Sequence, residues 1–301
     1  MDWSFLSQSL NLFFFQPAGS LAPTLLALVF GLMIGSFLNV VIHRKPIMMQ
    51  REWDNDFAEV CEKEIPHTDV YTLSTPGSAC PHCGHKITPL ENIPVISYLF
   101  LGGKCSECKA PISLRYPALE LATGLLSACL IWRFGSNIYG LATLPFVYLL
   151  IAMGFVDAKT KQLPDEWSYS LLWIGLLLNI NSTFVPLPQA VIGAASAYMF
   201  LYGINWLAEA ILKKQGMGNG DFKLLAALGA WFGWLALPYI VLIGSLAGII
   251  GWAIGLLFGK KAEGGRIPFG PFLALGGVTH LLFNKEVQTV FNFLLGGAAG
   301  G

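Results

Sequence analysis

The sequence contains few charged residues. Asp, Glu, Lys and Arg make up 12% of its 301 residues, against roughly 25% in soluble domains. Hydrophobic residues reach 54%, and the mean hydropathy is +0.60. This composition excludes an ordinary soluble protein and indicates a membrane protein. The net charge is zero, so nothing in the composition points to a nucleic-acid partner.

The first twenty residues lack Lys and Arg. Because a secretory signal peptide begins with a basic segment, the first apolar run is predicted to be retained as a membrane span. We therefore expect residues 1–20 to form an N-terminal periplasmic segment and residues 21–42 to form the first transmembrane helix.

Further apolar runs, separated by short polar breaks, predict an all-α polytopic fold with about eight transmembrane helices. Their centres are expected near residues 31, 125, 147, 174, 199, 229, 248 and 276. The polar stretch 43–116 is predicted to be an insert between the first and second spans. Residues 117–295 are predicted to form a membrane-embedded domain.

The basic residues are distributed unevenly across these spans. With the N-terminus outside, sixteen of the eighteen Lys and Arg residues fall in segments 43–116, 157–164, 213–223 and 259–266. Since basic residues favour cytoplasmic segments, this distribution predicts a multi-pass membrane protein with its N-terminus outside and a cytoplasmic insert.

Two C-x-x-C pairs lie within the insert. Cys80 and Cys83 are followed, after 21 residues, by Cys105 and Cys108. This pattern is typical of a structural zinc site with a closed four-sulfur shell. The alternatives are two disulfides, which are rare in the cytoplasm, a redox role for one pair, or a ligand supplied by one of the neighbouring histidines.

Three aspartates follow Asp69 in the sequence: Asp157, Asp165 and Asp221. All three fall at span ends on the predicted cytoplasmic side. Acidic residues near a bilayer are costly and are therefore functional candidates. Asp165 follows Pro164 and precedes Glu166, so it is predicted to be mainly a helix-capping residue.

Asp221 follows a segment rich in glycine, with glycines at 216, 218 and 220. A helix cap would also explain Asp221, but a cap requires no such glycines. They allow close approach of another chain and unusual backbone dihedrals. Two nearby carboxyl groups can act as one acid and one base on water, so Asp157 and Asp221 are the candidate catalytic pair for peptide hydrolysis.

Asp157 together with Gly218-Asn-Gly220-Asp221 resembles the GxGD aspartyl peptidases, and the chain as a whole is similar to the bacterial type IV prepilin peptidases. The similarity covers about residues 30–280. The matching segments run in the family's order: Gly35 to Arg44, Cys80 to Glu120, Asp157 to Asp165 and Ile267 to Phe272.

This resemblance implies a catalytic pair of Asp157 and Asp221, a loop shaped by Gly218 and Gly220, and a zinc ion held by the four cysteines. It implies cleavage of leaders from type IV prepilins and type II secretion pseudopilins at the cytoplasmic face. It also implies N-methylation of the new N-terminal residue with S-adenosylmethionine. The residues that bind this methyl donor are not indicated by any motif.

Two other functions are consistent with parts of the pattern. One is a GxGD peptidase that cleaves without methylating, which a missing cysteine insert would favour. The other is a proton-coupled transporter, which would place its acids near the bilayer midplane rather than at span ends. Lys159, Lys161 and Lys223 either act near the aspartates or anchor the spans, and Glu120 and Glu209 are unranked acids near span ends.

Overall fold

The computed structural model describes residues 16–213, 218–257 and 268–294. Most of the predicted periplasmic segment, the basic segment 259–266, Gly216 and Ile267 lie outside the described residues. The chain divides into two compact units, Met1–Tyr148 and Leu149–Gly301.

Among the described residues the regular elements are all helices, with no β-strand and two isolated β-bridges in the cysteine-containing segment. The helices are α1 (Leu21–Val60), α2 (Ile96–Phe100), α3 (Arg115–Phe134), α4 (Ile138–Thr160), α5 (Asp165–Asn179), α6 (Leu187–Leu212), α7 (Asn219–Phe232), α8 (Leu237–Leu257) and α9 (Gly270–Leu294). A short 3₁₀ turn, Trp234–Ala236, precedes α8.

Each of the eight predicted spans coincides with a helix. Within the described part of the chain, however, only five of these helices are long and apolar enough to cross a membrane. They are α1, α3, α4, α6 and α8, the last counted together with its 3₁₀ turn. Helices α5 and α7 have only 15 and 14 residues, short of the roughly 20 that a span needs. The expected count of eight therefore goes beyond what these helices establish.

In the first unit, α1 continues without interruption from Leu21 to Val60, beyond the predicted span 21–42. Its membrane part packs against α3 through small residues. A Cβ atom at Gly35 would lie 2.7 Å from the Cα atom of Glu120, so only glycine permits this approach of the two backbones.

In the second unit, α7 is the central helix. All residues from Asp221 to Phe232 are buried except Lys223, which is partly exposed, and α5, α6 and α9 pack around it. The Trp231 indole N–H donates to the Leu171 carbonyl, and Asn179 donates to the Ala230 carbonyl. These buried bonds join α5 to the C-terminal end of α7 and so fix the position of α7 in the bundle.

Candidate functional site

Asp157 lies in the last turn of α4 and is 4% exposed. Its Oδ2 atom accepts a hydrogen bond of 3.0 Å from the backbone N–H of Gly270, the first residue of α9. Its carbonyl accepts the Lys161 N–H at 2.7 Å, where the chain turns out of the helix with a φ of +58° at Lys161. The carboxylate is thereby held between the end of one helix and the start of another.

Asp221 lies in the first turn of α7 and is 8% exposed. The N-cap residue is Gly218, so Asp221 is not the N-cap itself. Its carboxylate accepts a hydrogen bond from the Gly218 N–H, which is a capping interaction of the kind made by side chains at this helix position. Its side chain lies at the positive end of a helix, where negative charge is stabilised. The preceding residue, Gly220, lies beside Leu163, and so does Gly270, whose N–H binds Asp157. The structure thus brings the two sequence-predicted carboxyl groups into one buried region.

Leu163 packs beside Gly220, which precedes Asp221, and beside Gly270, which binds Asp157. A Cβ atom added at Gly220 would lie 2.8 Å from the Leu163 Cβ atom. A Cβ atom added at Gly270 would lie 2.7 Å from Oδ2 of Asp157 and 3.2 Å from Cδ1 of Leu163. Side chains at positions 220 and 270 would therefore displace the groups that position the carboxylates.

Gly218 differs from Gly220. Its φ of −76° is ordinary for any residue, and the nearest atom to a Cβ added there is Oδ2 of Asp221, at 3.9 Å. No other described atom lies within 4 Å of that added Cβ atom, so the role predicted for Gly218, close approach of another chain, stays a prediction. Gly220 retains a packing role.

Asp165, the first residue of α5, forms an ion pair of 2.6 Å with Lys223 of α7. No side-chain capping bond forms at this helix start. The Asp165 side chain is 54% exposed. Asp165 therefore links two helices at their exposed ends, outside the buried carboxylate region.

The four cysteines of the insert converge. Their sulfur atoms all lie within 4.8 Å of one another, with Cys80 to Cys108 at 3.8 Å and Cys83 to Cys105 at 4.0 Å. A tetrahedral ion with metal–sulfur bonds of about 2.3 Å requires sulfur separations of about 3.8 Å. The cluster can therefore hold a metal ion, and these separations are too long for disulfides.

The two cysteine pairs have the same backbone structure. The backbone N–H of the first cysteine in each pair donates to the carbonyl of the residue five positions ahead. Cys80 donates to His85 at 2.8 Å, and Cys105 donates to Ala110 at 2.9 Å. Their carbonyls accept from the residue four positions ahead, which has a φ of +74° at Gly84 and +59° at Lys109. The cysteine module, residues 79–112, therefore contains a structural repeat, whose two segments share their cysteines and one isoleucine, Ile87 in the first and Ile112 in the second.

Backbone amides also favour the thiolate form in both pairs. The N–H groups of Cys83 and His82 lower the pKa of the Cys80 thiol to about 7. The N–H groups of Cys108 and Glu107 lower the pKa of the Cys105 thiol. Because metals bind the thiolate, the local backbone prepares these ligands for a cation.

His85 is engaged elsewhere and is not a ligand in this arrangement. Its Nδ1 and Nε2 atoms lie 2.8 Å from Glu107 and 3.2 Å from Glu91. Hydrogen bonds from Ser106, followed by those from Thr88, lower the pKa of Glu91 to about 2. This network links the two cysteine pairs to each other.

Sequence reasoning assigned no role to Gly270 or Leu163, which contact the aspartate region. Both fall in segments that carry the family resemblance, Ile267 to Phe272 and Asp157 to Asp165. The sequence does show that Gly270 lies between two Pro-Phe pairs, 268–269 and 271–272. It does not show that the Gly270 N–H binds Asp157, which is 113 residues away.

Two family models match the chain. Residues 29–134 match the "Bacterial Peptidase A24 N-terminal domain", and residues 144–253 match the "Type IV leader peptidase family". No solved structure matches the chain.

Curated proteins named prepilin leader peptidase/N-methyltransferase are similar over nearly the whole sequence. The protein from Stutzerimonas stutzeri is 46% identical over 92% of this chain and 96% of its own length. The one from Pseudomonas aeruginosa is 46% identical over 90% and 94%, and the one from Pseudomonas putida is 42% identical over 90% and 94%.

Proposed function

This chain belongs to the bacterial type IV leader peptidase family, and we propose that it removes the leader from type IV prepilins and type II secretion pseudopilins and N-methylates the new N-terminus. The observation that carries the proposal is the burial of Asp157 and Asp221 in one region at helix ends. The curated relatives carry both activities in their name, and their similarity spans both family segments of this chain.

Asp157 and Asp221 perform the hydrolysis as an acid–base pair. One carboxylate takes a proton from water, which attacks the scissile carbonyl carbon, while the other carboxyl group protonates the carbonyl oxygen. The tetrahedral diol then collapses as a proton passes to the leaving nitrogen. The Gly270 N–H donates to Oδ2 of Asp157 and so orients this carboxylate for the reaction.

Eight spans place this chemistry at the cytoplasmic face of the inner membrane. The N-terminus and residues 1–20 are periplasmic, residues 43–116 form the cytoplasmic insert, and residues 117–295 carry the peptidase. The distribution of basic residues and the match between eight helices and eight apolar runs support this topology. Helices α5 and α7 are the shortest of the eight, and their aspartates lie at the cytoplasmic edge of the bilayer.

Zinc is the metal that fits the cysteine cluster. Four thiolates at tetrahedral separations form the closed shell of a structural zinc site. Cys80, Cys83, Cys105 and Cys108 would hold the ion, which leaves no position for a catalytic water. The metal therefore supports the fold of the insert, which has almost no buried apolar side chains of its own.

S-adenosylmethionine, when bound, supplies an electrophilic methyl group for the amino terminus that cleavage creates. The purified chain, incubated with a prepilin and S-adenosylmethionine labelled in its methyl group, tests both activities. We expect a shortened pilin that carries the label on its new N-terminal nitrogen. Cleavage without label would make the chain a peptidase only, and no cleavage would refute the proposal.

A further inference from the structure

The first unit contains a cavity of about 570 Å³. Its walls come from α1, the cysteine module, α2 and the beginning of α3, and they include Cys80 and Cys105. Pockets that hold small ligands range from about 300 to 1,000 Å³. Neither Asp157 nor Asp221 lines this cavity, so peptide hydrolysis does not explain it.

Glu120 gives the cavity a buried anion. The residue is 9% exposed, and its Oε2 atom accepts a hydrogen bond of 2.7 Å from the backbone N–H of Val95. Val95 has a φ of +61°, which is strained for a β-branched residue. Such strain is concentrated at functional sites. Here it directs a backbone amide at the carboxylate and so fixes the position of Glu120.

Arg44 gives the same cavity a buried cation. It is 8% exposed, its Nη1 atom donates to the Thr72 carbonyl at 2.9 Å, and its guanidinium lies 5.7 Å from the centre of the Tyr71 ring. The rings of Tyr71, Tyr98 and Tyr116 line the cavity as well. The lining therefore combines one buried carboxylate, one guanidinium and several aromatic faces.

These groups match one kind of ligand. A guanidinium binds a carboxylate, a carboxylate together with aromatic faces binds a cation, and tyrosine rings stack on a flat base. S-adenosylmethionine carries all three partners: an α-carboxylate, a sulfonium and an adenine. We propose that this cavity is the methyl-donor site, with Glu120 beside the sulfonium and Arg44 at the carboxylate.

The inference rests on the proposed methyl transfer. In that step the neutral α-amino nitrogen of the cleaved pilin attacks the methyl carbon and forms the N–C bond. The C–S bond breaks, and sulfur keeps the electron pair and becomes the neutral thioether of S-adenosylhomocysteine. The nitrogen loses its extra proton to water. Because Cys80 and Cys105 form part of the wall, the metal module also shapes the donor site.

Calorimetry on the full chain in detergent tests the role of Glu120. Glu120→Gln keeps an acceptor for the Val95 N–H but removes the charge. We expect it to weaken binding of S-adenosylmethionine about tenfold, and binding of the neutral product S-adenosylhomocysteine by less than about threefold. Equal losses for both ligands, or none, would overturn the assignment, because a merely structural role does not distinguish them.

Glu209→Gln is the matched control. This carboxylate also accepts one hydrogen bond, from Asn205 at 2.9 Å, but belongs to the second unit. Binding of both ligands should be unchanged. Ser97→Phe is a second variant, which places a ring in the cavity from α2 and should abolish binding of both ligands. Retained binding in Ser97→Phe would overturn the proposal even if Glu120→Gln failed to fold.

Photolabelling of the unmodified chain locates the site without any substitution. After irradiation with methyl-labelled S-adenosylmethionine, we expect labelled peptides within residues 36–120. Label in residues 149–294, on a chain that still methylates pilin, would overturn the location while leaving the proposed function intact. A chain that cleaves prepilin but neither binds the donor nor transfers methyl would refute both the site and the methylation.

Discussion

The cysteine module draws its four ligands from residues 80–108, whereas the aspartate region draws its groups from the ends of three helices, α4, α7 and α9. Within the module the first cysteine of each pair is held by backbone hydrogen bonds that span four or five residues. In the aspartate region the bond that fixes Asp157 joins positions 113 residues apart. The first site is thus specified locally and can hold a metal, and the second is specified by helix packing.

Removal of the metal should cause the largest change of all, because it should unfold one of the two regions and leave the other folded. Structural zinc contributes about 10–16 kcal/mol to folding of small modules. Chelation or Cys105→Ser should therefore release about one zinc per chain and abolish hydrogen-exchange protection over residues 79–112. Protection of α7, which depends on buried contacts in the second unit, should remain.

Cys61→Ser is the control for this experiment, because Cys61 is exposed and outside the cluster. It should retain the zinc. Simultaneous loss of protection in the module and in α7 would contradict the independence of the two sites.

Replacement of either aspartate should have the next largest effect. Asp157→Asn and Asp221→Asn each keep the side-chain volume but remove the acid–base function, so cleavage of a prepilin should fall by about 10⁴-fold. Zinc content and the exchange pattern of the cysteine module should not change. Normal processing by either variant would remove that residue from the catalytic pair.

The positions of helices were predictable from hydropathy, because eight apolar runs mark eight helices. Their ends were not. Apolar residues report where lipid lies, and α1 continues to Val60 through a polar segment that hydropathy assigns to a separate insert. The short helices α5 and α7 likewise contain apolar runs although neither has the length of a span.

The cysteine ligands were predictable as a set because the spacing C-x-x-C itself encodes the knuckle. Asp157 and Asp221 could be chosen as candidates because acidic residues are rare in this part of the chain. The residues that contact their region could not be predicted. The Gly270 amide is a backbone group with no sequence signature of its own, and Leu163 is one apolar residue among many. Gly218, which the motif did indicate, is not crowded by any described atom, so its role toward a bound peptide stays a prediction.

Gly270→Ala tests whether helix packing positions the aspartate region, and its expected effect is smaller. The added methyl group would lie 2.7 Å from Oδ2 of Asp157 and must displace the carboxylate. Misplacement of a catalytic group by about 1 Å costs about 10²-fold in rate, so cleavage should fall by about that factor. Binding of the prepilin should change little.

Gly154→Ala is the matched control on α4. Its added methyl group would meet no atom nearer than 3.5 Å, the Cα atom of Pro271, which is ordinary contact. Cleavage by this variant should remain near that of the unmodified chain. Equal losses in the two variants would mean that the proximity of Gly270 to Asp157 is not the cause.

Asp165→Asn should have the smallest effect. Three aspartates share the same predicted membrane edge, but the Asp165 side chain is 54% exposed and its partner is Lys223. An exposed ion pair contributes about 0.5 kcal/mol, so stability should fall only slightly and cleavage should stay within about twofold. Lys223→Ala should produce the same small loss, and the double variant should lose no more than either single one, because the two substitutions remove one interaction. A 100-fold fall in Asp165→Asn alone would instead extend the chemistry to a third carboxylate and make burial a poor guide to which acids act.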